Sequence, residues 1–580
     1  MQPFILLTRL SSLLSLRRSK SWRVQESWLQ TQDIEKSLAR VLLLGALFFL
    51  TSCMVGPNYV EPDSKVEKNW VEHHALAQKP YGEAEVFWWK NFHDSTLNHL
   101  IEIAYENNPN LQSIGVNILK ERALLNRSIG NLLPQKQGIS GAYNYTYIPN
   151  GSTRGGGISG ALGALSNNNG SLSLGSLIAN NYFFFSSWEI DFWGKYRRQI
   201  ESDKESYLAA VASYDDALVS LIGEVAQHYL IIRTDEEQIR IINENIKLQQ
   251  ENLHLITARF RDGQVSQLDL TEAESTLSQT ESQLPPLENN LTQTKNALAL
   301  LLGIPPAQVN ALLEPGKVPA VPSSLVAGIP HDLLRRRPDV RQAGLLAASK
   351  CALIGVEITN LLPSFSLSGY FGSASSNLGG EQLVNIFSWQ NTLASAASSF
   401  TMPIFNYGRL INQVRVADAS FQEAILKYQD TVLNAQKEVE DGLSSYYHGR
   451  ESMAFLSKAI EAAHQSTRLA IVRYTQGETD YTSVLRAEQQ QLALESSYVS
   501  EQGSTIAGVI ATYRALGGGW QLRSGHDVIS EKVKAAMENR TNWGHLLLAK
   551  NHLPSISPED RPAAEVPENR PLWKLFNVNQ

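Results

Sequence analysis

Between residues 195 and 284, and again between 404 and 553, the chain carries no proline, and its apolar side chains recur at helical spacing. Ile239, Ile242, Ile246, Leu253 and Ile256 are one such series, set among polar and charged positions. A pattern of this kind predicts long helices that bury a narrow seam, as coiled-coil pairs do, and not a full globular face. At 1.5 Å per residue the stretch 195–262 would run about 100 Å if unbroken, so an elongated architecture is expected. Shorter segments alternate with a period of two. Tyr143, Tyr145 and Tyr147 share one face of a predicted strand, as do Phe365, Leu367 and Gly369. Second aromatic segments follow at Tyr182 to Trp193 and at Phe400 to Tyr407.

The elements repeat. Leu132-Leu133-Pro134 recurs as Leu361-Leu362-Pro363, and Asn108-Pro109-Asn110-Leu111 as Arg337-Pro338-Asp339-Val340, both at an offset of 229. Trp193-Gly194-Lys195 recurs as Tyr407-Gly408-Arg409, Arg259-Phe260-x-x-Gly263 as Arg473-Tyr474-x-x-Gly477, and Leu302-Gly303 as Leu516-Gly517, all at 214. The drop between offsets falls in the Gly/Ser/Asn-rich stretch 149–181, so one loop is longer in the first copy. In each copy a helix begins at a proline suited to its first turn and stops at Leu-Leu-Pro. A strand, a loop, a second strand and the long helices then follow. The chain reads as a tandem duplication, 85–303 and 325–520, joined by a linker at 304–324 and followed by a tail at 521–580.

Composition narrows the class. Of 580 residues 43% are hydrophobic, with 50 basic and 57 acidic side chains and a net charge of −7, which argues against nucleic acid as a partner. Two cysteines exclude a disulfide framework or a Cys-rich zinc module. With no apolar run of about 18 to 20 residues, a polytopic helical membrane protein is excluded too.

The longest apolar run, Val41 to Leu50, has the length of a signal-peptide core and is flanked by Lys36 and Arg40. Leu50-Thr51-Ser52-Cys53 resembles a bacterial lipobox, which implies removal of residues 1–52 and a lipid on Cys53 as anchor of the segment 53–84. The alternative is a buried helix that happens to hold a cysteine. Met54 is not the Asp that would signal inner-membrane retention in that class.

Two strands per copy make four per chain. An outer-membrane barrel must close, and the smallest single-chain barrels have about eight strands. If these four enter lipid, several chains must share one barrel; a soluble sheet or a plain helical bundle is the alternative. Here the residues resemble a known family. Cys53-x-x-Gly56-Pro57-x-Tyr59-x-x-Pro62, Trp88-Trp89, Asn108-Pro109-Asn110-Leu111, Arg336-Arg337-Pro338-Asp339-Val340-Arg341 and Ala515-Leu516-Gly517-Gly518-Gly519-Trp520 look like the outer-membrane efflux lipoproteins. These are the TolC-like outer-membrane factors of tripartite resistance-nodulation-division pumps. The resemblance covers about residues 53–520. It implies an α+β membrane channel, a homotrimer with a shared 12-stranded outer-membrane β-barrel continued by a periplasmic α-helical barrel. It also implies a periplasmic adaptor and an inner-membrane pump as partners, in the outer membrane of a Gram-negative cell.

The two Arg-aromatic-x-x-Gly motifs should reverse the chain between long helices, the glycine permitting a left-handed turn. Arg259, Phe260, Gly263, Val265 and Ser266 make one turn, and Arg473, Tyr474, Gly477, Thr479 and Asp480 the other. The resemblance makes these turns the adaptor-facing end and the gate. It matches Asp269 and Tyr474 to positions that tie neighbouring hairpins together, through a charge-assisted hydroxyl–carboxylate bond. Relatives often carry acidic side chains at the matches of Ser483 or Arg486, and some a leucine at Thr482, so an acidic cation-binding ring is expected to be absent or altered here. Pro285-Pro286 should interrupt the return helix of copy one, where copy two has Val499-Ser500.

Nucleophile, phosphate-loop and zinc motifs are missing from the sequence, which argues against an enzyme and implies no metal and no cofactor beyond the lipid on Cys53. Cys351 reads as a small buried side chain. A type I protein-secretion duct and a non-conducting structural envelope lipoprotein are the rival functions. For the tail, with a short helix expected in 526–550, disorder and a periplasmic belt are both open.

Overall fold

Glycine in the left-handed region starts both of the longest helices: Gly194, at φ 83°, precedes Lys195–Arg261, and Gly408, at φ 81°, precedes Arg409–Thr475. Each helix has 67 residues, about 100 Å of rise, and each ends at one of the Arg-aromatic motifs. The computed structural model describes residues 54–63, 66, 70–71, 86–147, 176–314, 316–322, 325, 336–376 and 389–554. From Val55 onward these belong to one unit.

In chain order the first copy holds α1 (Ser95–Asn107), α2 (Pro109–Gly130), β1 (Lys136–Tyr147), β2 (Ser176–Ile190), α3 (Lys195–Arg261), α4 (Gln267–Glu281) and α5 (Leu284–Leu302). The second holds α6 (Pro338–Thr359), β3 (Ser364–Ser376), β4 (Thr392–Thr401), α7 (Arg409–Thr475) and α8 (Tyr481–Ala515). Two short helices, α9 (Glu531–Glu538) and α10 (Ala549–His552), follow. The expected duplication is visible in the backbone as well as in the sequence. Pro109 and Pro338 open helices of 22 residues each, and Gly303 and Gly517, at φ 67° and 72°, close the two return arms. Side chains repeat the relation: Asn108 donates to the Leu301 carbonyl at 2.8 Å, and Arg337, at the matching position, to the Ala515 carbonyl at 2.7 Å.

All four strands form one antiparallel sheet in the order β1-β2-β3-β4, with Phe184 opposite Phe371 and Phe365 opposite Phe400. Ile139, Tyr143, Tyr145 and Tyr147 stand exposed on one face of β1, as their alternation predicts. Two boundaries differ from the expectation. β2 begins at Ser176, inside the stretch read as loop, and β4 ends at Thr401, so that it shares only Phe400 and Thr401 with the aromatic run read as its strand. Tyr407 is instead a fully exposed residue at φ 49°. The sheet is built from main-chain pairing, and the β4 sequence TLASAASSFT carries too little apolar contrast for a period-two reading to find it. No helix among the described residues is long and apolar enough to cross a membrane.

The largest core lies around the middle of the long helices. Trp88 is buried there and stacks on Tyr513, ring centres 5.7 Å apart. Over residues 521–554 the tail, for which the sequence leaves disorder and a periplasmic belt both open, joins this core. Val528, Ile529, Met537 and Leu547 are buried with it, and Tyr207 donates to the His552 carbonyl at 2.9 Å. Arg523 binds the fully buried Asp215 through two guanidinium nitrogens. The expected helix in 526–550 is two short ones separated by turns, because Asn542 and Gly544 break it. Residues 555–580 lie outside the described residues.

Near the other end of the chain, Cys53 and the leader likewise lie outside the described residues. The Gly56-Pro57-x-Tyr59 motif beyond them has a packing role. Val55 donates to the Trp193 carbonyl at 3.1 Å, and the buried Arg198 donates to the carbonyls of Val55 and Gly56 and to Asn58. Gly56, at φ 103°, crosses Gly355 so closely that a Cβ on it would stand 2.4 Å from the Gly355 Cα.

Candidate functional site

Both turns that join the long helices to their return arms close in the same way. Gly263 donates to the Phe260 carbonyl at 3.0 Å and Gln264 to that of Arg259 at 2.9 Å; Gly477 to Tyr474 and Glu478 to Arg473 repeat these distances. Gly263 and Gly477 have φ of 71° and 78°, and nothing lies within 4 Å of an added Cβ at either. Backbone conformation, not space, therefore asks for glycine.

The turns differ in how the next helix starts. Ser266 caps α4 in a reciprocal box with Asp269, while Asp480 makes no side-chain cap at the start of α8. Thr479 donates to Ser483 at 3.0 Å instead. Downstream, the first return arm is broken between α4 and α5 at Ser282–Gln283, just ahead of Pro285 and Pro286. The second runs unbroken for 35 residues, as the prolines predict. One protomer thus presents two unequal hairpins.

A small apolar cluster holds the hairpins together near the turns: Ile256, Ala273, Tyr474, Tyr481, Val484 and Leu485, with Val265 packed against it. Arg259 sits over the Tyr474 ring at 5.2 Å and donates to the Thr475 carbonyl at 3.3 Å. The Tyr474 hydroxyl is buried with no hydrogen-bond partner, and burial pushes it up against the pull of the Arg259 guanidinium. Asp269 is engaged by Ser266, so within one protomer the two expected gate residues are not bonded to each other. Thr482 reaches Glu272 of the other hairpin at 3.5 Å. Ser483 and Arg486 are exposed on the side of α8 away from the cluster, and Phe260 is half exposed. Arg473 pairs with Glu478 at 3.4 Å in solvent.

One group was not singled out by the sequence. Glu488 is 1% exposed, accepts from Asn252 of α3 through Oε1, and leaves Oε2 unpaired. Burial raises its carboxyl to about 7, with the Asn252 bond acting the other way. The signal was present: Tyr481, Leu485, Glu488, Leu492 and Val499 fall on one seam of α8, and all are buried. An acid on an apolar seam marks itself.

A model of the family described as outer membrane efflux protein matches residues 100–304 and 329–518. The solvent efflux pump outer membrane protein SrpC of Pseudomonas putida is 28% identical over 489 residues, 82% of this chain and 97% of that one. The pyoverdine export outer membrane protein OpmQ of Pseudomonas putida is 30% identical over 441 residues, 75% of this chain and 89% of that one. Among solved structures, the outer-membrane channel OprN aligns with a TM-score of 0.72 at 28% identity, over 81% of this chain and 100% of that one. The CmeC outer membrane channel of Campylobacter jejuni shares the fold, with a TM-score of 0.70 at 23% identity over 84% and 99% of the two chains.

Proposed function

Because the chain belongs to the outer membrane efflux protein family, we propose that it is the exit duct of a tripartite efflux system, passing small molecules from a periplasmic adaptor and an inner-membrane pump to the outside. The coarser part is plain: this is an outer-membrane channel of the efflux class, with the TolC-like fold, and not an enzyme family. The observation that carries the rest is the sheet. Four strands paired in the order β1-β2-β3-β4 leave β1 and β4 as edges, and an open edge is untenable in lipid. Three copies joined β4 to β1 would close twelve strands. Exposed Phe455, Leu469 and Val472 along α7 support burial against a neighbouring copy below the barrel.

In this reading residues 1–52 are a removed leader, Cys53 carries the lipid, and the turns at Gly263 and Gly477 face the adaptor. The cluster around Tyr474 is then the gate. Relatives named for solvent efflux and pyoverdine export support small molecules as cargo over secreted proteins. The reading is tested on the purified full-length protein by native mass spectrometry and planar-bilayer conductance. Three copies and a pore are expected. A monomer, or a trimer that conducts under no condition, would sink it, the latter in favour of a structural lipoprotein. Cys53→Ser should lose its acyl mass while still conducting.

A further inference from the structure

Besides the Tyr474 hydroxyl, three buried polar side chains toward the turns of the hairpin pair have atoms with no partner: Glu488 Oε2, Gln249 Oε1 and the Thr467 hydroxyl. They are 1%, 5% and 4% exposed. Gln249 lies one helical turn from Asn252, whose amide holds the other Glu488 oxygen. On the remaining side, α7 and α8 run antiparallel in a register that sets Gly442 against Thr512, Gly449 against Thr505 and Tyr474 against Tyr481. That register puts Thr467 at the level of Glu488. A buried carboxyl, amide oxygen and hydroxyl thus fall within about one helical turn of the same level, between clusters that are apolar.

Among the described residues no cation serves Glu488. On α3, Lys247, Glu251 and His254 face solvent; on α7, His464 and Arg468 do the same. On α4, Asp269 and Glu272 act on Tyr481 but not on Glu488, and on α8 itself Tyr481 is the titratable neighbour. Only burial and the Asn252 bond bear on the carboxyl. A buried, unpaired carboxylate is costly, while a proton on it supplies a donor that the unpaired oxygens lack.

We propose that Glu488 is a proton-operated latch between the two hairpins, neutral when they are packed and ionised when they part. This rests on the reading of the turn region as a gate. The sign follows from the carboxyl being raised in the packed state, to about 7 from an ordinary 4.5. The latch is strongest below the ordinary value and is lost as the pH rises through the packed-state value. Acid holds the hairpins together, and neutral to mildly alkaline solution frees them.

The test uses the full-length protein in lipid, with periplasmic-side pH set at 5.5 or 8. Open probability in planar bilayers should rise several-fold from the lower pH to the higher in wild type. Glu488→Gln keeps an acceptor for Asn252 and cannot ionise, so its open probability should stay at the wild-type pH 5.5 level throughout. Hydrogen-exchange protection of residues 467–490, corrected for the intrinsic rate, should fall several-fold in wild type over the same range and stay level in the variant. Equal pH dependence in wild type and variant, or wild-type protection that ignores pH, overturns the latch. Protection that follows pH while conductance does not would uphold the latch and remove the gate.

Discussion

The guanidinium of Arg259, at the end of α3, lies 5.2 Å from the ring centre of Tyr474, at the end of α7. The two residues belong to different copies of the repeat but are not each other's repeat partners; Arg259 matches Arg473, and Tyr474 matches Phe260. One copy thus uses its arginine where the other uses its aromatic ring. The contact holds the hairpins together and has no counterpart in the exposed pair Arg473–Glu478.

Replacing Arg259 by Gln should therefore loosen the turn region by about 0.5–1 kcal/mol, the cost of one such contact. Replacing Tyr474 by Phe removes a hydroxyl that finds no partner within the protomer and should change unfolding by no more than about 0.5 kcal/mol. Conductance separates the cases. Arg259→Gln should raise the basal current; a rise as large in Tyr474→Phe would mean that a neighbouring copy engages the hydroxyl, as the family resemblance implies for Asp269.

Gly263→Ala and Gly477→Ala should each cost roughly 1–2 kcal/mol, since an alanine at φ 71° or 78° is strained although nothing occupies its space. The damage should stay local. Exchange protection should fall at 256–270 or 470–485, with the sheet and central core unchanged; loss across the whole chain would contradict a purely conformational role.

Arg486 is exposed on α8 and has no partner among the described residues. If three copies present it to the pore, wild type should resist block by divalent cations and Arg486→Asp should acquire it. Planar-bilayer currents with and without millimolar divalent cation decide the matter, and equal block in both proteins would refute it.

Removing Arg523 should strip the tail from the core. Asp215 would be left fully buried with Arg341 3.9 Å away, so Arg523→Met should cost about 3 kcal/mol, the lower end for a broken buried pair. Limited proteolysis should then cut within 524–554 while the remainder resists. An unchanged digest would show that Val528, Ile529 and Met537 hold the tail unaided.

Much of the architecture was legible because it depends on local backbone chemistry. The prolines at 109 and 338 suit a first helical turn, the left-handed turns at 194, 263, 303, 408, 477 and 517 favour glycine, and Pro285-Pro286 interrupts one arm where the other runs straight. These residues act through their own φ angles or missing amides, so spacing along the chain finds them. The site was legible as far as the turns and no further. Arg259 and Tyr474 are 215 positions apart, and nothing in their separate copies predicts that they touch.

By itself, then, the sequence determined the duplication, the long helices and the places where they reverse. Tertiary structure alone decided that β4 runs over Thr392–Thr401 despite its alanines and serines, that residues 521–554 fold onto Asp215 and the central core, and that Glu488 lies buried against Asn252. The physical reason is common to all three. Main-chain pairing, burial and desolvation belong to the surroundings that distant segments create, while helix starts, stops and left-handed turns are properties a residue carries with it.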